Sequence, residues 1–417
     1  MLLSNRLSYI LGYIRRCWLL LILIAFIFFI PGAAPFKADS FYGIANPYMF
    51  TLARWEMENI LNRWNRNLSP TQAENYAGKP DYIDIVKNYF EISGKRQQLQ
   101  DTLERTFTDN GTGGNPEKYA VETELAALNR ESARLKGTVE AIIEAQVTVE
   151  LKKENINFYL FSPGVNFFFP PVDIELSALP SVLVISPRQR IELKDSVLLK
   201  APLPAETMAA LENRLEKLDY SALVDSIGGV ATYPAMVADP ASLDFTVSAA
   251  AHEWVHHYLF FRPLGRHYSD NQALRTINET SADIIGNEIA DKILELYGIH
   301  RTEQRARKPR DGEGFNFNRE MRQIRVTVDE YLREGKVEEA EQYMEEQRRF
   351  LLDNGYYIRK LNQAYFAFHG SYGGSPASSS PVAGDLKQLR ERYASLGDFV
   401  RAVSSITSYE QLKKLAN

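Results

Sequence analysis

The chain has almost no cysteine, because Cys17 is the only one among 417 residues, and this excludes an internal disulfide framework. It also lacks an excess of positive charge. Its 48 lysines and arginines stand against 53 aspartates and glutamates, which gives a formal net charge of -5. We therefore expect no binding to nucleic acid. The length of the chain predicts a sizeable core and more than one domain.

Long apolar runs are absent except near the N-terminus. Residues 17–36 carry no charge and are close to the minimum of about 20 residues for a membrane span. Arginines precede this run, so the positive-inside tendency predicts a cytoplasmic segment 1–16 and an extracytoplasmic remainder. An uncleaved anchor is favoured over a cleaved signal peptide, because Pro35 follows the small-residue tract at 32–34. No second such run occurs, so the sequence predicts a single membrane span.

Histidine is scarce too, with six in the chain, but two of them stand in its most informative stretch, His252-Glu253-Trp254-Val255-His256. The run of small residues before this stretch favours helix. On a helix, His252 and His256 lie four residues apart on one face, so both imidazoles can bind a single zinc ion. Glu253 lies one position round the helix, where its carboxylate can reach a water on that metal.

A second motif follows on the next predicted helix, where Asn278-Glu279 is succeeded by Asp283. Catalytic zinc requires a third protein ligand and one open position, and Glu279 is the natural candidate for that ligand. Asp283 shares a helix face with Glu279 and could accept a hydrogen bond from the outer nitrogen of a zinc-bound histidine. The segment between the helices can turn the chain, and its His267 and Tyr268 are candidates for the rim of the site.

Together the two motifs resemble those of the gluzincin clan of zinc metallopeptidases, which includes thermolysin and the zinc aminopeptidases. The resemblance covers residues 249–290. It implies that His252, His256 and Glu279 hold Zn²⁺, with Asn278 and Asp283 supporting these ligands. Zinc in such a site lowers the pKa of its bound water toward about 7.

The resemblance also implies a fold and a substrate. Glu253 would act as the general base in the hydrolysis of extracytoplasmic peptides or proteins. The expected architecture is an α+β, mostly helical catalytic domain, with a small mixed sheet before the zinc helix. An N-terminal membrane anchor and a helical hairpin precede that domain.

A further donor should stabilise the tetrahedral oxyanion, and in this clan it is usually a tyrosine or histidine outside the zinc motifs. His369 is our candidate, since it stands where an apolar-aromatic helix passes into a loop rich in Gly and Ser. The alternative is a core helix that ends in a glycine cap and carries an ordinary hydrogen-bonded histidine.

Residues 227–237 precede the zinc helix, as the substrate-lining edge strand does in gluzincins. Within this stretch Gly229, Val230 and Ala231 are candidates to pair with a peptide in extended form, and a simple loop is the alternative. Zinc aminopeptidases carry a glutamate on this strand that holds the substrate amine. No glutamate occurs between residues 227 and 237, so aminopeptidase activity is not supported.

The rest of the chain divides by composition. Residues 37–155 predict a helical hairpin around a turn-rich segment, which serves as a stalk or packs against the catalytic domain. Residues 156–300 form the zinc metallopeptidase core. A basic linker at 301–314 leads to a C-terminal helical subdomain at 315–417.

Two other functions stay open from the sequence. The same metal and base could hydrolyse a non-peptide substrate, because neither is specific for peptides. The chain could also be a catalytically silent, membrane-anchored scaffold that binds a partner through the hairpin. The intact Glu253 argues against a scaffold, since a silent protein has no need to keep the base.

Overall fold

The computed structural model describes residues 40–63, 79–109, 116–156, 168–301 and 315–417. The predicted anchor at 17–36 lies outside these residues. Among the helices in the described ranges, none combines the length and the apolar character needed to cross a bilayer.

The described residues are mostly helical and contain short strands, which confirms the predicted α+β class. The helices are Ser40–Ala45 (α1), Leu52–Arg63 (α2), Pro80–Asp109 (α3), Pro116–Lys153 (α4), Ala205–Glu216 (α5), Leu243–Phe260 (α6), Pro263–Arg266 (α7), Gln272–Leu294 (α8), Phe317–Arg333 (α9), Val337–Asp353 (α10), Gln363–His369 (α11), Val382–Glu391 (α12), Leu396–Ser404 (α13) and Tyr409–Ala416 (α14). The strands are Ile174–Ser177 (β1), Ser181–Pro187 (β2), Asp195–Leu199 (β3), Tyr220–Ser226 (β4), Gly229–Val230 (β5) and Ala235–Ala238 (β6).

The strands form two three-stranded sheets, both of which precede α6 in the chain. One sheet has the order β3-β2-β4 and is antiparallel. The other has the order β1-β6-β5, with β1 parallel and β5 antiparallel to β6. The expectation of a small mixed sheet before the zinc helix is therefore confirmed.

The two edges of the mixed sheet differ. On the β1 side, the backbone N–H groups of Ile174 and Leu176 donate to the side chains of Glu144 and Glu140 on α4, at 3.0 and 2.9 Å. These carboxylates occupy positions that a neighbouring strand would otherwise take. At the other edge β5 pairs with β6 alone among the described strands. The β5 edge therefore has no neighbouring strand among the described residues.

The predicted hairpin is present as α3 and α4, and it packs into the centre of the molecule. Val139, Ile142 and Val147 of α4 are fully buried in one apolar core with residues of α6 and α8. At the other helix, Tyr89 and Arg96 of α3 bind the carboxylate of Asp239 at 3.0 and 2.9 Å. The hairpin helices therefore share one apolar core with α6 and α8.

Two contacts join the C-terminal region to the rest of the fold. Arg359, just before α11, donates to Glu212 of α5 and to the carbonyl of Val224, the latter at 2.7 Å. Gly397 lies in the first turn of α13, where a Cβ would come within 2.0 Å of the carbonyl oxygen of Glu154.

Glu56 on α2 predicts a pH-dependent stability. It is 2 % exposed and accepts a hydrogen bond from the backbone N–H of Tyr233 at 3.3 Å. Burial raises the pKa of its carboxyl from 4.5 to about 7. The folded chain thus binds more protons than the unfolded chain between these pH values, so stability falls as pH rises through this window and stays lower above it.

We expect Glu56→Gln to raise the free energy of unfolding by up to about 3 kcal/mol at pH 8, because it removes the buried charge. At pH 4, where the native carboxyl is already neutral, the gain should vanish. Denaturant unfolding at both pH values measures this. The control is Glu58→Gln on the same helix, whose side chain is 58 % exposed. A gain from Glu56→Gln that is equal at both pH values would contradict the prediction.

Candidate metal centre

His252 and His256 lie on one face of α6, and the orientation of this helix is set by its N-terminal cap and by the burial of its opposite face. The Ser242 side chain caps the helix by accepting the N–H of Phe245 at 3.2 Å, which satisfies one of its free N–H groups. The opposite face is buried through Trp254 and other apolar residues. The ring N–H of Trp254 donates to the carbonyl of Pro170 at 2.8 Å. This burial leaves the histidine face directed toward α8.

The second helix approaches α6 closely because Gly286 stands at the crossing. A Cβ at this position would lie 2.9 Å from the backbone nitrogen of His252, so a larger residue would push the helices apart. The Asn271 side chain caps the start of α8 by accepting the N–H of Leu274 at 2.9 Å. The close crossing brings Glu279 of α8 opposite the two histidines.

Three side-chain atoms converge between the helices. The Nε2 atoms of His252 and His256 are 3.0 Å apart, and they lie 3.6 and 3.5 Å from Oε2 of Glu279. A triangle with these sides has a central point about 2.0 Å from each atom, which is the range of zinc–nitrogen and zinc–oxygen bonds. This group could hold a metal ion. The sequence predicted these three residues, and the structure brings them together.

Each histidine has a second partner on α8, as predicted for Asp283 and Asn278. The Nδ1 atom of His252 lies 3.0 Å from Oδ1 of Asp283, and Nδ1 of His256 lies 3.0 Å from Oδ1 of Asn278. Because both oxygens only accept, each Nδ1 carries a proton, and in the neutral imidazole Nε2 presents a lone pair. The two outer contacts therefore prepare both Nε2 atoms to bind a metal.

Within the cluster, the effect of neighbouring charges and hydrogen bonds on the pKa values of His252 and Glu279 is larger than the opposing effect of burial. Burial opposes protonation of His252, but its hydrogen bonds to Asp283 and Glu279 raise the pKa of His252 well above its usual value. Burial would raise the pKa of Glu279, yet the His256 and His252 imidazoles hold it well below the usual range. Protons and a metal ion therefore compete for the same nitrogens.

A cleft of about 490 Å³ opens beside this cluster. It is lined by β5 and the residues just before it, by the histidine face of α6, by α8 and by the end of α11 with the following loop. Glu253 lies in the cleft beside His252. Burial is the largest influence on Glu253 and raises the pKa of its carboxyl against the opposing effect of the two imidazoles. A carboxylate of raised pKa at the mouth of a metal site suits a general base.

The backbone of β5 passes directly over the Glu253 carboxylate. A Cβ at Gly229 would lie 2.3 Å from Oε1 of Glu253. The candidate edge strand is shorter than predicted, since it includes Gly229 and Val230 but not Ala231. The chain turns at this point, where the N–H of Thr232 donates to the carbonyl of Val230 at 2.7 Å. The turn leads into β6, so residues 227–237 form two short strands and not one.

His369 lines the same cleft from the end of α11. Its Nε2 lies 2.9 Å from Oδ2 of Asp225 on β4, and its ring lies 4.3 Å from that of Tyr365 between centroids. Because the carboxylate accepts, Nε2 carries a proton in this contact. The structure thus places His369 in the cleft, and its part in catalysis stays a prediction.

Tyr372 is a second residue of this region that lines the cleft. It lies three residues beyond His369, and its ring centroid is 6.3 Å from that of His252. The Glu279 carboxylate, together with burial, raises the pKa of Tyr372 well above its usual range. Its hydroxyl therefore stays protonated at neutral pH and can donate a hydrogen bond.

Of the two candidates for the rim of the site, Tyr268 contacts Glu279 of the cluster, and His267 contacts none of its three residues. The Tyr268 hydroxyl donates to Oε1 of Glu279 at 2.6 Å. His267 is 43 % exposed and pairs with Asp270 at 2.6 Å.

Arg301 supports the site, although it is the first residue of the predicted basic linker at 301–314, whose other residues lie outside the described ranges. Its side chain is 7 % exposed and donates to Ser248 of α6 at 2.5 Å and to Oδ1 of Asn287 of α8 at 3.1 Å. Both of these residues line the cleft. Its charge is paired with Asp244 and Asp291. The basic composition of the linker does not indicate this contact, because the partners of Arg301 lie on two separate helices that only the fold brings together.

We expect Gly229→Ala to displace either β5 or the Glu253 carboxylate, because the new methyl would lie 2.3 Å from Oε1 of Glu253. A shift of about 1 Å is enough to slow a reaction that uses Glu253 by about 10²-fold. Metal content should not change, since no ligand touches Gly229. Steady-state kinetics and metal analysis measure the two effects. The control is Gly374→Ala, where a Cβ would meet nothing within 4 Å. Equal activity in both variants would contradict the close approach of β5 to the base.

Comparisons of the chain with family models, curated proteins and solved structures returned no match. A function for this chain is therefore argued from the geometry of the cluster and its cleft.

Proposed function

We propose that the chain is a membrane-anchored zinc metallopeptidase of gluzincin type that hydrolyses extracytoplasmic peptides or proteins. The observation that carries the proposal is the convergence of His252, His256 and Glu279 around one point, with Glu253 in the adjoining cleft. The anchor at 17–36 and the extracytoplasmic position of the catalytic domain rest on the apolar run and the arginines before it.

The donor set supports zinc as the metal. Two imidazole nitrogens and one carboxylate oxygen form the ligand set of several zinc hydrolases, and three protein ligands leave a position open. Bound zinc would supply Lewis acidity and lower the pKa of a water toward about 7.

Glu253 is the proposed general base. Its carboxylate is 7 % exposed and lies next to the ligand cluster but outside the ligand set. There it would take a proton from the attacking water and pass that proton to the leaving amine. The raised pKa of Glu253 brings it closer to the working pH, where a base can both accept and return a proton.

The cleft supports a peptide as substrate. Because β5 is the edge of the mixed sheet and passes over Glu253, an extended peptide that pairs with β5 would place a carbonyl beside the base. Tyr372 and His369 line the same cleft. The Tyr372 hydroxyl is the proposed donor to the oxyanion, and His369, whose Nε2 proton goes to Asp225, is proposed as part of the substrate wall. An edge that pairs with main-chain groups favours a peptide over a non-peptide amide.

The test is hydrolysis of a peptide library by the full-length protein in detergent, with products identified by mass spectrometry. We expect cleavage that stops when a chelator removes the metal and returns when Zn²⁺ is added. A protein that holds one zinc ion per chain yet cleaves no peptide would overturn the peptidase proposal and favour the hydrolysis of a non-peptide substrate.

A further inference from the structure

We propose that Tyr268 is a positioning residue that restricts Glu279 to binding the metal through a single oxygen. The inference rests on the proposed zinc centre. It concerns the number of protein atoms around the metal, which the identity of the ligands alone does not fix.

The two carboxylate oxygens of Glu279 have different partners. Oε2 faces the imidazoles, at 3.6 Å from Nε2 of His252 and 3.5 Å from Nε2 of His256. Oε1 accepts the hydroxyl of Tyr268 at 2.6 Å, a short bond typical of an ionised acceptor. One oxygen is therefore directed to the metal position, and the other is engaged by the phenol.

Tyr268 is itself held in place by two neighbours. The guanidinium of Arg275 lies 5.5 Å from the centroid of the Tyr268 ring, within the range of a cation–π contact. The ring of His256 meets it edge-on at 6.4 Å with an angle of 87°. Because Arg275 is one turn before Glu279 on α8, the phenol and the carboxylate are positioned by the same helix.

The phenol acts on the site in a way that the partners of the histidines do not. Asp283 and Asn278 accept hydrogen bonds from the ligating imidazoles and so make these rings better donors to a metal. Tyr268 instead donates a hydrogen bond to Glu279, and this bond keeps Oε1 of Glu279 away from the metal. This difference matters because a carboxylate that bound through both oxygens would add a fifth donor atom beside the water and weaken the metal's hold on that water.

Among the described residues, Tyr268 supplies the only hydrogen bond to Oε1 of Glu279. We therefore expect the carboxylate of Tyr268→Phe to rotate and bind the metal through both oxygens. The metal would stay bound, but with a fifth donor atom around it the metal would hold its water less tightly. Turnover should fall by about 10–100-fold, the usual effect of removing an outer partner of a metal ligand.

The experiment uses the full-length protein loaded with Co²⁺, whose visible absorption reports its coordination number. The control is Tyr297→Phe, which also removes one buried hydroxyl, here bonded to Gln146 at 2.9 Å and outside the cleft. We expect one Co²⁺ per chain in all three proteins. The wild type and the control should show the strong absorption of four-coordinate cobalt, and Tyr268→Phe the weaker absorption of five-coordinate cobalt.

A second measurement avoids the variant altogether. X-ray absorption of the zinc-loaded wild type should show one carboxylate oxygen at a short distance from the metal and not two. Two such oxygens would overturn the inference, as would a Tyr268→Phe spectrum equal to that of the wild type. Loss of the metal from Tyr268→Phe would also overturn it, because the phenol would then be needed for binding itself. If the wild type binds no stoichiometric Co²⁺ or Zn²⁺, the proposed centre fails instead.

Discussion

The Glu253→Gln protein is expected to bind one zinc ion per chain, the same content that we expect of the wild type, and to hydrolyse peptides about 10²–10⁴-fold more slowly than the wild type. The amide has the shape of the carboxylate but cannot accept the proton of the attacking water. Glu253 does not belong to the ligand group, so metal content should not change. Burial raises the pKa of Glu253, so removing its charge should not destabilise the fold.

The measurement combines metal analysis with kinetics on a peptide that the wild type cleaves. The matched control is Glu288→Gln on α8, which removes a carboxylate that pairs with Arg390 at 2.7 Å and does not line the cleft. The control should keep its activity. If Glu253→Gln replaced the wild-type protein fully in a cell that depends on it, the catalytically silent scaffold would become the better explanation.

The second large effect is expected from His252→Ala, which should no longer retain stoichiometric zinc. Removing an outer partner of a ligand typically lowers metal affinity by about 10–100-fold, and removing the ligand itself should exceed that loss. His256 and Glu279 alone cannot hold the ion in the same geometry, and Asp283 would lose the imidazole to which its carboxylate is bonded.

Zinc content after dialysis and titration with a competing chelator measure this effect. His267→Ala is the matched control, because this exposed histidine lies in the connecting segment and pairs only with Asp270 among the contacts described above. It should retain its zinc. An affinity of His252→Ala equal to that of the wild type would remove His252 from the ligand set, and with it the geometric basis for the proposed hydrolase.

Several features of the fold follow from local pattern. The hairpin helices α3 and α4 lie on either side of the turn-rich segment, because its residues stop a helix. The break between α9 and α10 falls at Gly335, whose φ of 74° is a conformation that glycine adopts without strain.

Some residues of the candidate site also follow from local pattern, and others are defined by tertiary contacts alone. The sequence by itself determined His252 and His256, and it determined Glu279 with Asp283, because each pair lies one turn apart on a single helix and periodicity alone aligns them. Only the tertiary structure decided that Tyr268 holds Glu279, that Asp225 binds His369 144 residues away, and that Arg301 joins α6 to α8. Spacing along the chain carries no information about such contacts, since they arise where packing brings separate elements together.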